Sequence, residues 1–259
     1  RQVSHRNVCR VYDIGEFDGN QYLSMEFIKG EELSSLLRRI GRLPSDKALQ
    51  IARQICSGLT AAHESGVLHR DLKPANVKVA NDERVKVLDF GLAKALASTS
   101  AENIADSQTI PMATETGMVL GTAAYMSPEQ ARAKPVDRRA DIWAFGCVLY
   151  EMLTGKIAFR GDSLTDTLAA VLKNDPDWSQ LPATTPQHVR ALLRRCLQKD
   201  ARQRLQAMGD ARIALEEGFS EAPGAISKLG ESPAALGRRA LPLAIAVAAI
   251  AGAVALLLI

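Results

Sequence analysis

The sequence predicts an α+β domain in which a small amount of β-sheet precedes a larger helical body. Residues 10–27 contain two runs rich in apolar and aromatic residues on either side of a turn cluster at 18–20, a pattern typical of a β-hairpin. After Pro128 the apolar positions recur at helical spacing, which predicts helices over roughly 138–154, 163–173, 186–198 and 208–217. The sheet is therefore expected early in the chain and most helices after it.

The segment that follows the hairpin is predicted to be helical. A short amphipathic helix is expected over 31–39. A longer helix is expected to be capped by Ser45-Asp46, to continue through Ser65 with apolar residues on one face, and to stop at Gly66. These helices would begin the body of the domain.

Two short strands and a long loop complete the predicted elements. Val77–Val79 and Val85–Leu88 are predicted strands on either side of a polar turn. Residues 92–124 show no convincing period and are rich in Ser, Thr and Ala, which predicts a long loop.

The composition is that of a globular protein with a hydrophobic core. Of 259 residues, 47% are apolar and 24% are charged, and the net charge is only +3. The basic residues are scattered, so nothing indicates nucleic acid as a partner. The four cysteines lie far apart without a C-x-x-C pair, which favours reduced, buried thiols over a zinc or disulfide framework and fits a cytosolic domain.

Two polar motifs lie close together in the middle of the chain. Residues 67–76 read Val-Leu-His-Arg-Asp-Leu-Lys-Pro-Ala-Asn, and Asp89-Phe90-Gly91 begins 13 positions beyond Asn76. Together they resemble the signature of the protein kinase family, in which a loop and a D-F-G motif carry phosphoryl transfer. The resemblance implies a protein-kinase-like fold, mainly the helical C-lobe, with the hairpin as a remnant of the N-lobe.

The resemblance assigns roles to this polar set. Asp71 would accept the proton of the substrate hydroxyl, and Lys73 would contact the transferred phosphoryl group of ATP. Asn76 and Asp89 would offer oxygen ligands to Mg²⁺, with Mn²⁺ as a possible substitute. Lysine at position 73 resembles Ser/Thr kinases rather than tyrosine kinases. Supporting roles fall to His69, Phe90 and Gly91.

The stretch from Tyr22 to Leu33 resembles the fifth strand and hinge of the family. Met25 would then be the gatekeeper, and the backbone of Glu26, Phe27 and Ile28 would pair with adenine. Glu32 would bond the ribose, or would simply be a solvated acid at a helix start. At position 78 the family usually has an aliphatic residue that packs beneath adenine, whereas this sequence has Lys78. The apolar stem of a lysine can also cover a ring.

The segment from Gly121-Thr122 to Ser127-Pro128-Glu129 resembles the end of an activation segment. Arg204 would pair with Glu129, and Asp141 would be the buried acid that anchors the catalytic loop.

Arg70, next to the expected base, suggests regulation by a phosphate on the loop. The candidate acceptors are Thr109, Thr114, Thr116 and the hydroxyl residues at 98–100, with the alternative that most of them are merely polar loop residues. Thr122 is expected instead to bond Asp71 and Lys73 directly.

The chain divides into three predicted parts. A kinase domain covers 1–217, with the N-lobe remnant and hinge at 1–28 and the C-lobe at 29–217, and a juxtamembrane linker follows at 218–240. Residues 241–259 are uncharged and would span about 28 Å as a helix, which predicts a truncated transmembrane span; a buried soluble helix is the alternative. Arg238-Arg239 suits a cytoplasmic flank, so the resemblance is to bacterial single-span membrane kinases with a cytoplasmic kinase domain.

The family's N-terminal parts are not found in this sequence. It contains no Gly-rich loop ahead of the hairpin, no lysine of the V-A-I-K type and no assignable αC glutamate. Residues 1–8 resemble the connection that precedes the fourth strand, so we expect a fragment of a longer kinase. By itself such a fragment would bind ATP weakly and carry out little or no phosphoryl transfer.

The function expected from the residues and the resemblance is transfer of the γ-phosphoryl group of ATP to Ser or Thr of proteins, with possible dimerisation for autophosphorylation. A non-catalytic scaffold that binds a partner or nucleotide is the first alternative, and a small-molecule kinase is the second. The sequence contains the whole catalytic set, for which a scaffold would have no use, and this favours the enzyme. The set consists of Asp71, Lys73, Asn76 and Asp89.

Overall fold

The computed structural model describes residues 3–18, 20–90 and 118–216. It begins with the predicted hairpin. Strands β1 (Val11–Phe17) and β2 (Asn20–Met25) pair antiparallel, with Phe17 opposite Asn20 at the turn. The hairpin prediction is confirmed.

A second sheet has three antiparallel strands in the order β3-β4-β5. These are β3 (Gly30–Glu32), β4 (Val77–Ala80) and β5 (Val85–Val87). The last two were predicted, whereas β3 was not. Its three residues carry no apolar alternation, and they are extended because they pair with β4, from Gly30 opposite Ala80 to Glu32 opposite Lys78.

Two helices follow β3. The first is α1 (Leu33–Ile40), so the predicted helix starts two residues later than expected. The second is α2 (Ser45–Glu64), which confirms the longer prediction, and Gly66 beyond it has the positive φ of a helix stop. The predicted cap is wrong: Pro44 holds the N-cap position without a side-chain bond, and Ser45 is already helical.

The remaining α-helices lie between residues 118 and 216. They are α3 (Met118–Ala123), α4 (Pro128–Ala131), α5 (Arg138–Thr154), α6 (Leu164–Lys173), α7 (Gln187–Cys196) and α8 (Met208–Glu216). The four predicted helices correspond to α5 to α8. The loop prediction is wrong at α3, because six residues are too few to display a helical period.

Helix α5 lies at the centre of the helical body. Its residues are buried all round, including Trp143, Phe145 and Tyr150, as expected for a helix enclosed by others. It contacts α2 on one side and α7 on another. All four cysteines are buried and free, as predicted.

No helix among residues 3–18, 20–90 and 118–216 is both long enough and apolar enough to cross a bilayer. The predicted linker at 218–240 and the predicted span at 241–259 lie outside the described residues.

Candidate active site

The loop between α2 and β4 is held to α5 through its main chain. The side chain of Asp141, only 1% exposed, accepts hydrogen bonds from the backbone N–H of His69 at 2.9 Å and of Arg70 at 2.7 Å. His63 Nε2, on α2, lies 2.7 Å from the same carboxylate. The loop that carries the candidate catalytic residues is therefore fixed to the most buried helix, as the resemblance implied for Asp141.

Asp71 lies at the centre of a small polar network. Lys73 Nζ donates to Asp71 Oδ2 at 2.8 Å and to Thr122 Oγ1 at 3.0 Å. Asn76 Nδ2 donates to the Asp71 carbonyl at 2.8 Å and to Oδ2 at 3.2 Å. The carboxylate remains 40% exposed. An oriented carboxylate that a substrate can still reach is what a proton acceptor requires.

The residues expected to hold a metal fit that role chemically. Asn76 uses its amide nitrogen toward Asp71, which leaves the carbonyl oxygen for a cation, and Asp89 supplies a half-buried carboxylate just after β5. Within the described ranges no cluster of three or more His, Cys, Asp or Glu residues could hold a metal. Mg²⁺ bound with a nucleotide needs only one or two protein oxygens, since phosphates and water complete its shell.

Two residues of the site have strained backbones. Arg70 has φ 69° and Asp89 has φ 57°, values uncommon for residues other than glycine. Strain of this kind costs on the order of 1–3 kcal/mol per residue and concentrates at functional sites. Here it occurs directly beside the expected base and at the expected metal ligand.

His69 and Phe90 pack beneath this network. Their ring centroids are 4.7 Å apart, and His69 Nδ1 accepts the Asp71 N–H at 3.3 Å. Burial lowers the pKa of His69, which favours a neutral imidazole. The ring therefore supports the loop and keeps Asp71 in position, while Gly91 lies outside the described residues.

The residues expected at the hinge lie at the end of β2 and in the connection to β3. Met25 is 39% exposed and Phe27 is 88% exposed, whereas Ile28 is buried. The Glu26 carboxylate pairs with Lys86 Nζ of β5 at 2.8 Å. Burial opposes ionisation of Glu26, but the bonds from Lys86 and from the Arg10 backbone prevail and lower its pKa.

Lys78 occupies the middle of a charged row across the second sheet. It lies opposite Glu32 of β3 on one side and opposite Lys86 of β5 on the other. Like charges directly opposite each other are unfavourable, and the Glu26 carboxylate offsets the charge of Lys86. The Glu32 carboxylate accepts from Ser34 Oγ at 3.2 Å.

Glu129 and Arg204 form a two-pronged ion pair. The distances are 2.7 Å from Nη1 to Oε1 and 3.0 Å from Nη2 to Oε2, and the arginine side chain is fully buried. Burial alone would raise the pKa of Glu129, yet the arginine bonds lower it. The pair ties α4 to the segment before α8.

The candidate regulatory residues divide into two groups. Thr122 contacts Lys73, as expected, whereas Thr109, Thr114 and Thr116 lie outside the described residues. Arg70 Nε is buried and has no partner in the described part of the chain. A buried donor without an acceptor is costly, so an anion beside Arg70 would stabilise it.

The sequence prediction missed three residues that hold the site in place. His63 contacts Asp141, Lys86 pairs with Glu26, and Gln130 Nε2 donates to the Arg70 carbonyl at 2.7 Å. His63 gave a detectable signal, because it is a polar residue next to the apolar face of α2. Gln130 and Lys86 gave none, since their partners are distant in sequence.

The fold and the site together define the class of this protein. It is an α+β domain whose loop between α2 and β4 carries the network of Asp71, Lys73 and Asn76, and this combination is protein-kinase-like. The chain belongs to the protein kinase family, because the family model described as the protein kinase domain matches residues 1–213.

Curated relatives agree with this membership. The chain is 39% identical over 178 residues to the serine/threonine-protein kinase PknB of Mycobacterium leprae, which covers 67% of this chain and 27% of that protein. It is 37% identical over 204 residues to the probable PknB of Lactococcus lactis, covering 78% and 31%. For PknB of Mycolicibacterium smegmatis the identity is 35% over 218 residues, covering 82% and 33%. The chain thus spans about a third or less of each relative.

Proposed function

We propose that this domain transfers the γ-phosphoryl group of ATP to Ser or Thr hydroxyls of proteins. The observation that carries the proposal is the network in which Lys73 and Asn76 both hold the Asp71 carboxylate. The names of the relatives support the Ser/Thr class.

Each residue of the network has a distinct task in this proposal. Asp71 orients the acceptor hydroxyl and takes its proton, and Lys73 steadies the charge of the phosphoryl group as it moves. Bound ATP with Mg²⁺ (or Mn²⁺) supplies the electrophilic phosphorus. Asn76 and Asp89 would hold the metal, while residues 25–28, Glu32 and Lys78 would surround the nucleoside.

The direct test compares Asp71→Asn with Asp162→Asn, a change of the same kind at an exposed loop position. Both variants and the wild type, each made in the full-length protein, are incubated with labelled ATP, Mg²⁺ and a mixed protein substrate. Loss of a general base costs roughly 10²–10⁴-fold, so label on Ser and Thr should fall at least 100-fold in the first variant only. Equal labelling by Asp71→Asn and the wild type would refute the assignment.

The same assay separates the two alternative functions. A scaffold would label nothing in any variant yet still bind a nucleotide or protein partner. A small-molecule kinase would consume ATP while leaving protein unlabelled. Label on protein hydroxyls is expected because the segment from Thr122 to Glu129 resembles a peptide-docking element.

We propose further that a phosphate on the segment containing Thr109, Thr114 and Thr116 activates the domain by pairing with Arg70. The buried Arg70 Nε supports this. Phosphatase treatment should lower activity in the wild type and have no effect on Arg70→Gln, which keeps the main-chain bonds to Asp141. Unchanged wild-type activity would contradict the proposal.

The predicted parts outside the described residues are proposals as well. A kinase domain at 1–217, a linker at 218–240 and a span at 241–259 would place the domain on the cytoplasmic side of a membrane. Removing 241–259 from the chain should then move it from the membrane fraction to the supernatant. Dimerisation for autophosphorylation predicts a phosphorylation rate per molecule that rises with protein concentration.

A further inference from the structure

A large groove opens beside the Asp71 network. It has a volume of about 880 Å³, within the roughly 300–1,000 Å³ typical of ligand pockets. Lys73 and Thr122 line one part of it, α1 contributes a wall through Arg38, and the loop after α5 contributes Lys156 and Arg160. Any segment of polypeptide lying in this groove would be next to the candidate base.

The charge of the groove is strongly one-sided. Its charged lining consists of four cations, Arg38, Lys73, Lys156 and Arg160, and one carboxylate, Glu151. The chain as a whole carries a net charge of only +3, so this is a local concentration of positive charge. Such a surface attracts anions before contact and selects them at contact.

Three of these cations are not neutralised within the described part of the chain. Arg38 donates to the neutral Ser35 hydroxyl at 2.9 Å, and Lys156 donates to the neutral Gln180 amide at 2.7 Å. Arg160 is exposed and forms no ion pair with a described carboxylate. Lys73 differs, because it is already paired with Asp71.

The one acid of the groove is engaged with the protein itself. Glu151 Oε2 accepts the Tyr125 hydroxyl at 2.5 Å. Burial raises the pKa of Glu151, which weakens it as a partner for a basic ligand. The positive groups of the groove are therefore available to a ligand, whereas its one carboxylate is already bonded within the protein.

We propose that this groove binds substrate polypeptide carrying Asp or Glu close to the hydroxyl that is phosphorylated. The statement that the bound polypeptide is a substrate rests on the proposed function. The attraction between the basic groove and an acidic peptide can be measured without catalysis.

The first test measures binding alone. Fluorescent peptides of one length carry Ala in place of the acceptor Ser, with flanks of Glu, of Lys or of Gln, and are titrated into the full chain. We expect the Glu peptide to bind about tenfold more tightly than the Gln peptide, the Lys peptide to bind more weakly than either, and the preference to shrink as salt rises.

Reversing the charge of groove arginines tests whether the preference for acidic peptides arises in the groove. The double variant Arg38→Glu with Arg160→Glu should abolish or invert it. Arg202→Glu, a matched reversal at an exposed arginine outside the groove, should retain it. Equal binding of the three peptides by the wild type, an unchanged preference in the double variant, or the same loss in Arg202→Glu would each overturn the proposal.

The second test uses phosphorylatable versions of the same peptides and the full-length protein. With the wild type we expect the lower KM for the Glu peptide and similar kcat for all three. If Glu peptides bind preferentially but no peptide is phosphorylated, the proposed function fails and the groove assignment stands. If phosphorylation occurs without a charge preference, the function stands and the groove assignment fails.

Discussion

The position of the candidate catalytic loop depends on one buried side chain, that of Asp141. It accepts two backbone N–H groups from the loop and lies within hydrogen-bond distance of His63. Hydrogen bonds to a charged acceptor contribute more than neutral ones, about 1.5–3 kcal/mol each. The bonds to α5 therefore contribute substantially to the stability of the loop.

Asp141→Asn should lower the free energy of unfolding by about 1–3 kcal/mol, because an amide retains the shape but loses the charge and one acceptor. Urea unfolding followed by tryptophan fluorescence measures the change. Asp162→Asn, at an exposed position, should stay within about 0.5 kcal/mol of the wild type. A stable Asp141→Asn variant would show that the loop is held by other contacts.

Lys199 provides a test of pH dependence at the residue scale. Its ammonium lies 4.0 Å from the Phe159 ring centroid and donates to the Val171 carbonyl at 2.7 Å. Burial lowers its pKa to about 8, from 10.5 for the free side chain. The folded protein thus loses this proton at lower pH than the unfolded chain does.

Between about pH 8 and 10.5 the unfolded state binds more protons at this position, so the contribution of Lys199 to stability should rise with pH. Because the residue is only half-buried, we expect a gain on the order of 1 kcal/mol across that window. Urea unfolding at each pH gives the free energy of unfolding of the wild type and of Lys199→Met, and the difference between the two is the contribution of Lys199. A difference that falls or stays constant with pH would contradict the assignment.

At the scale of elements, α5 approaches the end of α7 closely at Gly146. A Cβ placed on Gly146 would lie 2.8 Å from Cys196 Cβ and 2.9 Å from Leu197 Cδ2, shorter than such contacts allow. The helices can approach this closely only because position 146 has no side chain. Glycine is kept here for packing, although it weakens a helix interior by about 1 kcal/mol relative to alanine.

Gly146→Ala should destabilise the protein by about 1–3 kcal/mol, since overpacking outweighs the gain in helix propensity. Gly209→Ala is the matched control. Gly209 also lies in a helix, α8, but a Cβ there would meet nothing within 4 Å. The control should be neutral or up to about 1 kcal/mol more stable, and equal effects in thermal melts would refute the packing argument.

Elements were predictable from sequence where local pattern and tertiary structure agree. The periods of α2 and α7 and the turn at Asp18 were visible in the sequence. Strand β3 was not, because its extended form depends on pairing with β4, 45 or more residues away. Asp71 and Asn76 were recognisable as a motif, whereas Lys86 and Gln130 act through partners 60 residues distant.

At the scale of the described domain, contacts with strand β5 of the second sheet connect the residues that flank the hairpin to the rest of the fold. One is the short parallel bridge between Val8 and Val87, and another is the Glu26–Lys86 ion pair at 2.8 Å. The hairpin itself exposes Tyr12, Phe17 and other large apolar residues. Its stability is therefore expected to be lower than that of the helices.

Lys86→Met should selectively loosen the hairpin, because it leaves the partly buried Glu26 carboxylate without its ammonium partner. Hydrogen exchange should become about tenfold faster in β1 and β2 and stay unchanged in α5. Lys47→Met, which breaks an exposed ion pair with Glu83, should alter neither. Uniform acceleration in all elements would indicate global destabilisation instead.

The hydrogen bonds from the loop to Asp141 affect which substitutions the loop can accept during evolution. Its two bonds to the loop go to peptide N–H groups, which every amino acid except proline possesses. The two bonds to Asp141 therefore make no demand on the side chain at position 70, although the positive φ there still favours residues that tolerate a left-handed backbone. Arg70 can be replaced by such residues, in the laboratory or by natural selection, while the main-chain bonds that position the candidate base are kept.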